Sequence, residues 1–158
     1  MLRPLFATLF CVFAFSLSAQ TYQDEVAAAD VPAAVKQHIS QANSNGTVRW
    51  QKYGPTYIYH ERSGNTATEL EITAQDGIKR QTTIHYGTEL PSDKQAVEQR
   101  VSGPFSAYTY VGYGETTTAS GDELTAVFLK SPGDSSLLII YFDASDQLIA
   151  RRVHRMAQ

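Results

Sequence analysis

The side chains of this sequence with most chemistry to offer are four histidines, two neighbouring glutamates and a set of tyrosines. His38, His60, His85 and His154 are never two or four residues apart. Those are the spacings that put two ligands on one strand face or one helix face. Any metal site would have to be assembled by the fold. Glu69 and Glu71 share one face of an alternating segment. In a hydrolase such a pair divides acid and base roles. Beside Leu70 and Ile72 on the opposite face, they read as the solvated face of a strand. Serine, histidine and aspartate are all present, but no Gly-x-Ser-x-Gly elbow accompanies them. Gly112 and Gly114 flank Tyr113 without the following helix that a phosphate cradle needs. The expectation is therefore a protein that is not an enzyme, with no cofactor and no metal.

The tyrosines are more suggestive. Tyr53, Tyr57, Tyr59, Tyr86, Tyr108, Tyr110, Tyr113 and Tyr141 follow Trp50 along the chain. Tyr57/Tyr59 and Tyr108/Tyr110 are two residues apart, so each pair lies on one face of an extended segment. Exposed tyrosine is good binding surface because it combines large area, low entropy loss and a polar tip. The same pairs also serve as cross-strand packing. Trp50, Tyr57, Tyr59, Tyr108, Tyr110 and Tyr113 are the expected partner-binding residues. Glu115–Asp122 reads as a polar, mobile loop able to enter a partner's cleft. Arg151, Arg152, His154 and Arg155 read as a basic end that alternates along a last strand and frays into solvent.

These residues need elements to position them. Val31, Val35, Ile39 and Ala42 recur at helical spacing, with Asp30 as N-cap and Pro32 in the first turn. Asn43-Ser44-Asn45-Gly46 ends that helix. Leu90, Lys94, Val97 and Val101 mark a second helix after Pro91, ended by Ser102-Gly103-Pro104. Strands are expected at Thr47–Tyr53, Thr56–Glu61, Thr68–Thr73 and Ile78–Tyr86, where Arg80 interrupts the apolar face. Further strands are expected at Phe105–Tyr113, Leu124–Lys130, Leu137–Phe142 and Leu148–Val153. Gly54-Pro55, Ser63-Gly64-Asn65 and Ser131-Pro132-Gly133-Asp134 are turns, and Asp76-Gly77 predicts a tight I′ hairpin. Asp30-Val31-Pro32 and Glu89-Leu90-Pro91 open the two helices in the same way. The fold class predicted is α+β, with two tandem α-β-β-β-β units and helices packed on one face of an antiparallel sheet. The units are 30–87 and 88–158, within one compact domain.

Residues 1–19 have the pattern of a secretory signal: Arg3, an apolar stretch from Leu5 to Phe15, then Ser16-Leu17-Ser18-Ala19. The apolar stretch is shorter than the roughly 20 residues of a spanning helix, so no membrane span is expected after cleavage. Residues 20–29 read as a flexible mature N-terminus. Cys11, the only cysteine, falls inside the signal, so stability has to come from packing rather than disulfides. The net charge is −3, with no basic stripe before the last stretch of chain, and nucleic acid is not an expected partner. The expected location is periplasmic or secreted.

Val31-Pro32-Ala33-Ala34-Val35, the hairpin Leu70-Glu71-Ile72-Thr73-Ala74-Gln75-Asp76-Gly77-Ile78-Lys79 and the segment Tyr141-Phe142-Asp143-Ala144-Ser145-Asp146-Gln147-Leu148-Ile149 resemble the PepSY-like group. These are small exported bacterial proteins, also described as β-lactamase-inhibitor-like. The resemblance spans residues 30–155. The second turn departs from the pattern, with Ser145-Asp146-Gln147 in place of the usual glycine. The resemblance implies two repeats, and binding or inhibition of an exported protein rather than catalysis. It identifies no target and no inhibitory residues.

The expected function is thus a non-catalytic exported binding protein that recognises another envelope or extracellular protein through an aromatic sheet face. Two other classes fit the same elements. A cystatin-like or NTF2-like small-ligand binder or enzyme would enclose a cavity lined by Trp50, His60 or His85. A structural envelope protein would self-associate through its edge strands.

Overall fold

The computed structural model describes residues 24–39, 46–133 and 136–155. The signal-like segment and Asn43-Ser44-Asn45 lie outside these residues, as does Asp134. The strands are β1 (Asp24–Glu25), β2 (Thr47–Tyr53), β3 (Thr56–Ser63), β4 (Thr66–Thr73) and β5 (Gly77–Tyr86). They continue as β6 (Thr109–Thr118), β7 (Glu123–Lys130), β8 (Ser136–Phe142) and β9 (Leu148–Arg155). The α-helices are α1 (Ala33–Lys36) and α2 (Gln95–Ser102).

All nine strands form one sheet in the order of the chain, each antiparallel to the next. This overturns the expected two tandem α-β-β-β-β units. The boundary at 87/88 is bridged by seven register pairs, from Arg80↔Thr118 to Tyr86↔Gly112. Pairing β5 with β6 spends the edges that two separate units would have kept open. The helices are also too short to form a layer. α1 has four residues and α2 eight. The fold is mostly antiparallel β, a curled half-barrel.

One contact shows the curl. The Arg152 guanidinium of β9 meets the Glu71 carboxylate of β4. Five strand intervals of about 4.8 Å would hold these strands roughly 24 Å apart in a flat sheet. Only a strongly curled sheet brings them together, with Glu71 and Arg152 on the concave side. The concave face also buries Ala67, Ile84, Leu124, Ala126, Phe128, Ile139 and Tyr141.

Two clusters occupy the convex face. Val31 and Val35 pack with Trp50, Tyr57, Tyr59, Leu70 and Ile72. Val97 and Val101 pack with Val127, Leu129, Leu138, Ile140 and Phe142. The helix openings do repeat one local device. Pro32 and Pro91 have nearly equal backbone angles (φ −56°, ψ 143° and φ −54°, ψ 146°), and neither helix start has a side-chain cap. Val31 and Leu90, one residue earlier, each pack into the cluster beneath. Asp30 does not cap α1; it ends a short 3₁₀ turn.

Four further expectations are corrected. Residues 24–29 are not a free tail, because β1 pairs with Gln51 and Lys52 and the Val26 amide bonds to Trp50 O. The turn before β5 is not type I′, which needs two positive φ angles. Here only Gly77 (φ 73°) is positive, and the bulge beside it at Lys79 puts Ile78 on the convex face and Arg80 on the concave one. That bulge is why Arg80 seemed to break the apolar pattern. Phe105–Tyr108 is a turn rather than a strand. Glu115–Thr118 is strand rather than loop, leaving a tight turn before β7. Threonine is polar in composition but β-branched, and it favours a pleated surface. Thr116 is buried and its hydroxyl bonds to that of Thr82 at 2.9 Å.

Candidate functional site

The expected aromatic face does not form as one surface. Tyr57 and Tyr59 share the convex face, as their spacing required, and Trp50 joins them opposite Tyr59, but the chain itself buries all three. Trp50 meets Tyr59 edge-on at 5.2 Å, and Tyr59 donates to Glu61 at 2.8 Å. Burial and Glu61 push the Tyr59 phenol up to about 12. Tyr113 is buried against His85, ring on ring at 4.7 Å. Tyr108 precedes β6 and packs edge-on against Phe105. Tyr110 is the most accessible of the six at 36 % exposure, and its hydroxyl donates to Thr88 O. Tyr108 and Tyr110 border a groove of about 580 Å³ beside α2, with Leu90, Val101, Phe105, Leu129, Glu89 and Glu98.

Polar groups converge instead on the concave face. Strands β2 to β5 and β7 to β9 line a cleft of about 350 Å³. Its floor is Ile84, Phe128 and Ile139, with Leu137 and Tyr86 at the sides. Its polar lining is Thr47, Arg49, Gln51, His60, Arg62, Glu69 and His154. These residues alternate with the buried aromatics. Arg49 and Gln51 flank Trp50, and His60 follows Tyr59, so period two sends them to the opposite face. Register then aligns Arg49 with His60 and His60 with Glu69.

Glu69 and Glu71 are not the solvated side of a strand. Glu71 is 7 % exposed and receives both Arg80 (3.4 Å) and Arg152. Above this group the Tyr141 ring faces Arg80 at 4.6 Å and Arg152 at 5.9 Å. Burial raises the Tyr141 phenol to about 12, with Glu69 adding to it. Burial opposes the Arg152 charge, yet Glu71 raises its pKa overall. The basic C-terminal end therefore alternates as expected but does not fray. Arg152 and His154 turn inward, whereas Arg151 lies over Phe105 on the convex face.

Burial also opposes the charge of Glu69. Pairing with His60 (3.7 Å) and the charges of His154 and Arg152 outweigh it and hold the carboxyl below the usual range. At 3.7 Å the contact is longer than a hydrogen bond. His154 is pushed below the usual imidazole value chiefly by burial, with Glu69 opposing.

The two shifts have the same sign in stability. The unfolded chain binds both protons more readily than the folded one, so stability falls with acid. The His154 contribution begins to be lost as pH drops below about 6.5. That of Glu69 is lost lower, as pH falls through its depressed folded value. Melting curves should show Tm declining from pH 7 to 5.5, and His154→Gln should flatten that interval. A Tm independent of pH there in the parent protein would refute the assignment.

The fold brings His60, Glu69 and His154 to one cleft, yet among the described residues no group of three or more His, Cys, Asp or Glu has the geometry to hold a metal ion. His85 lies across the sheet on the convex face and His38 sits against Gly77. Gly112 and Gly114 are not a cradle; both lie in β6, Gly112 against the backbone of β5 and Gly114 against the Thr82 and Phe128 side chains. Sequence reasoning passed over Arg49 and Arg62. Their signal was present as polar alternation opposite Trp50 and Tyr59, but solvated strand faces show the same alternation.

Three solved structures resemble this one. A DUF2874 family protein from Bacteroides uniformis matches at TM-score 0.55 and 17 % identity, covering 78 % of this chain and 89 % of its own. A second DUF2874 protein, from Bacteroides ovatus, matches at TM-score 0.54 and 10 % identity, over 77 % and 86 %. The chain shares their fold. A protein of Bacteroides eggerthii, provisionally described as periplasmic, matches at TM-score 0.56 and 12 % identity, over 79 % and 90 %. No family model matches the sequence, and no curated protein matches it significantly. Among the described residues no helix is long and apolar enough to cross a membrane.

Proposed function

We propose that the chain is an exported, non-catalytic binding protein and that the concave cleft is its ligand site. The observation that carries this reading is the convergence of Arg49, His60, Arg62, Glu69 and His154, from four strands, over an apolar floor. A concave site with few convergent polar groups above apolar side chains is the usual form of a ligand pocket, and about 350 Å³ lies within the usual size range. Export is supported by the pattern of residues 1–19 and by the provisional periplasmic description of the B. eggerthii neighbour. The PepSY-like resemblance supports binding over catalysis.

The test uses N-phenylnaphthylamine, a neutral apolar dye that brightens in apolar surroundings. The purified protein should bind it saturably. Thr47→Cys, carrying a bulky maleimide at the cleft wall, should bind it at least ten-fold more weakly. Equal binding by labelled and unlabelled protein would reject the cleft.

A second reading, recognition of an envelope or extracellular protein, rests on the groove where Tyr110 keeps a partly exposed ring beside Tyr108 and Phe105. Interface anchors are commonly tyrosines in such settings. Pull-down from the envelope fraction with parent protein and with Tyr108→Ala/Tyr110→Ala tests it. Loss of the same partner from the variant supports the groove; identical recovery removes it.

A further inference from the structure

We propose that the cleft selects amphipathic organic anions, with Arg49 and Arg62 holding a carboxylate or sulfonate head and the apolar floor holding its body. The inference rests on the ligand-cleft reading and names the chemistry of that site.

The charge balance of the cleft leads to it. Its one acidic residue, Glu69, is already committed to His60. Arg49 and Arg62 stand on neighbouring strands, with Arg49 paired to His60 and Arg62 two residues further along β3. Same-face diagonal neighbours of this kind lie about 7–8 Å apart, within reach of one another's side chains. Among the described residues neither arginine has a carboxylate within ion-pair distance. The two like charges line one wall of the cleft, where a single anion can accept from both. The chain as a whole carries −3, so the positive patch runs against the overall charge.

Arg62 is also oriented in advance. Its Nε donates to Gly64 O at 3.1 Å and its guanidinium lies 4.7 Å from the centre of the Tyr86 ring. Those two contacts leave the terminal amino groups for an acceptor, in the planar fork that suits a carboxylate. Gly46, just before β2, approaches so closely that a Cβ there would sit 2.3 Å from Arg62 O. The backbone carrying Arg62 is thus fixed from the β2 side as well. Beneath the arginines the floor of Ile84, Phe128 and Ile139 offers no hydrogen-bonding side chain, so a wholly polar anion gains little there.

The experiment compares anilinonaphthalene sulfonate, an anionic dye with an apolar body, with the neutral dye N-phenylnaphthylamine. Charge-assisted hydrogen bonds are the strong ones, so Arg49→Gln/Arg62→Gln should weaken the sulfonate at least ten-fold. The neutral dye should be weakened far less, so the ratio of the two affinities falls, and the variant should stay folded, because both arginines are exposed and outside the core. Added salt should weaken the sulfonate alone. If the double variant weakens both dyes equally, or neither, anion selection is overturned while the cleft stands. If neither dye responds to the bulky label at Thr47→Cys, the cleft and the anion proposal fall together.

Discussion

Replacing Glu71 with alanine should lower the unfolding free energy by about 3 kcal/mol, read by urea denaturation. Glu71 is the single acceptor joining β4 to Arg80 of β5 and Arg152 of β9. Its removal leaves two guanidinium groups facing each other in the curl, beside Tyr141. Breaking a buried pair by deleting one partner commonly costs 3–5 kcal/mol, because the remaining charge stays desolvated. The lower end applies here, since Arg152 keeps about a third of its side chain accessible. For a domain of this size the loss amounts to roughly 10 °C in Tm. A variant that also carries Arg80→Met and Arg152→Met should recover much of the deficit, since an apolar replacement of a buried ion group is often near neutral. Destabilisation below 1 kcal/mol in Glu71→Ala would mean that the bridge between the distant strands contributes little to the curl.

The same bridge marks the limit of what could be read from the chain. Its turns were legible because turn chemistry is local. Gly54, Gly64 and Gly77 all adopt positive φ, at 54°, 61° and 73°, where their flanking residues placed a reversal. Strands β2, β7 and β8 were legible from aromatic or aliphatic runs. The curl was not, because it brings together residues as far apart in the chain as Glu71 and Arg152, 81 positions. Once the sheet bends, a polar face that would have met solvent becomes an interior. Glu69 and Glu71 change meaning, as do His60, Arg80 and His154, with no change in their local pattern. The tyrosines were misjudged for the complementary reason. Their spacing gave the shared face of Tyr57 and Tyr59 correctly. Aromatic spacing is the same whether α1 covers that face or solvent does, and Val31 and Val35 cover it. The repeat signal was real at Pro32 and Pro91 but described two helix openings, not two sheets.

Gly112→Ala should be more damaging still, because the position has no free space. A Cβ on Gly112 would lie 2.2 Å from His85 O and 3.0 Å from Tyr86 Cα, both backbone atoms. Main chain of a paired strand cannot rotate aside as a flexible side chain would. The glycine sits beside the register shift between Tyr110 and Gly112, where β6 bends as it pairs with β5 and β7. Glycine at such a point marks close backbone approach, and any side chain there must part the strands. β5 and β6 are the strands that join the two halves of the sheet, so the damage falls where the nine-stranded arrangement is continuous. The expected loss is about 4 kcal/mol or more, beyond the ordinary range of single substitutions. It should appear in urea unfolding and as a drop in soluble yield. Gly133→Ala is the control, since a Cβ there meets nothing within 4 Å; it should stay within about 0.5 kcal/mol of the parent. A Gly112→Ala protein that unfolds with the parent's midpoint would show that β5 and β6 separate without cost, and that the two halves hold their shape independently after all.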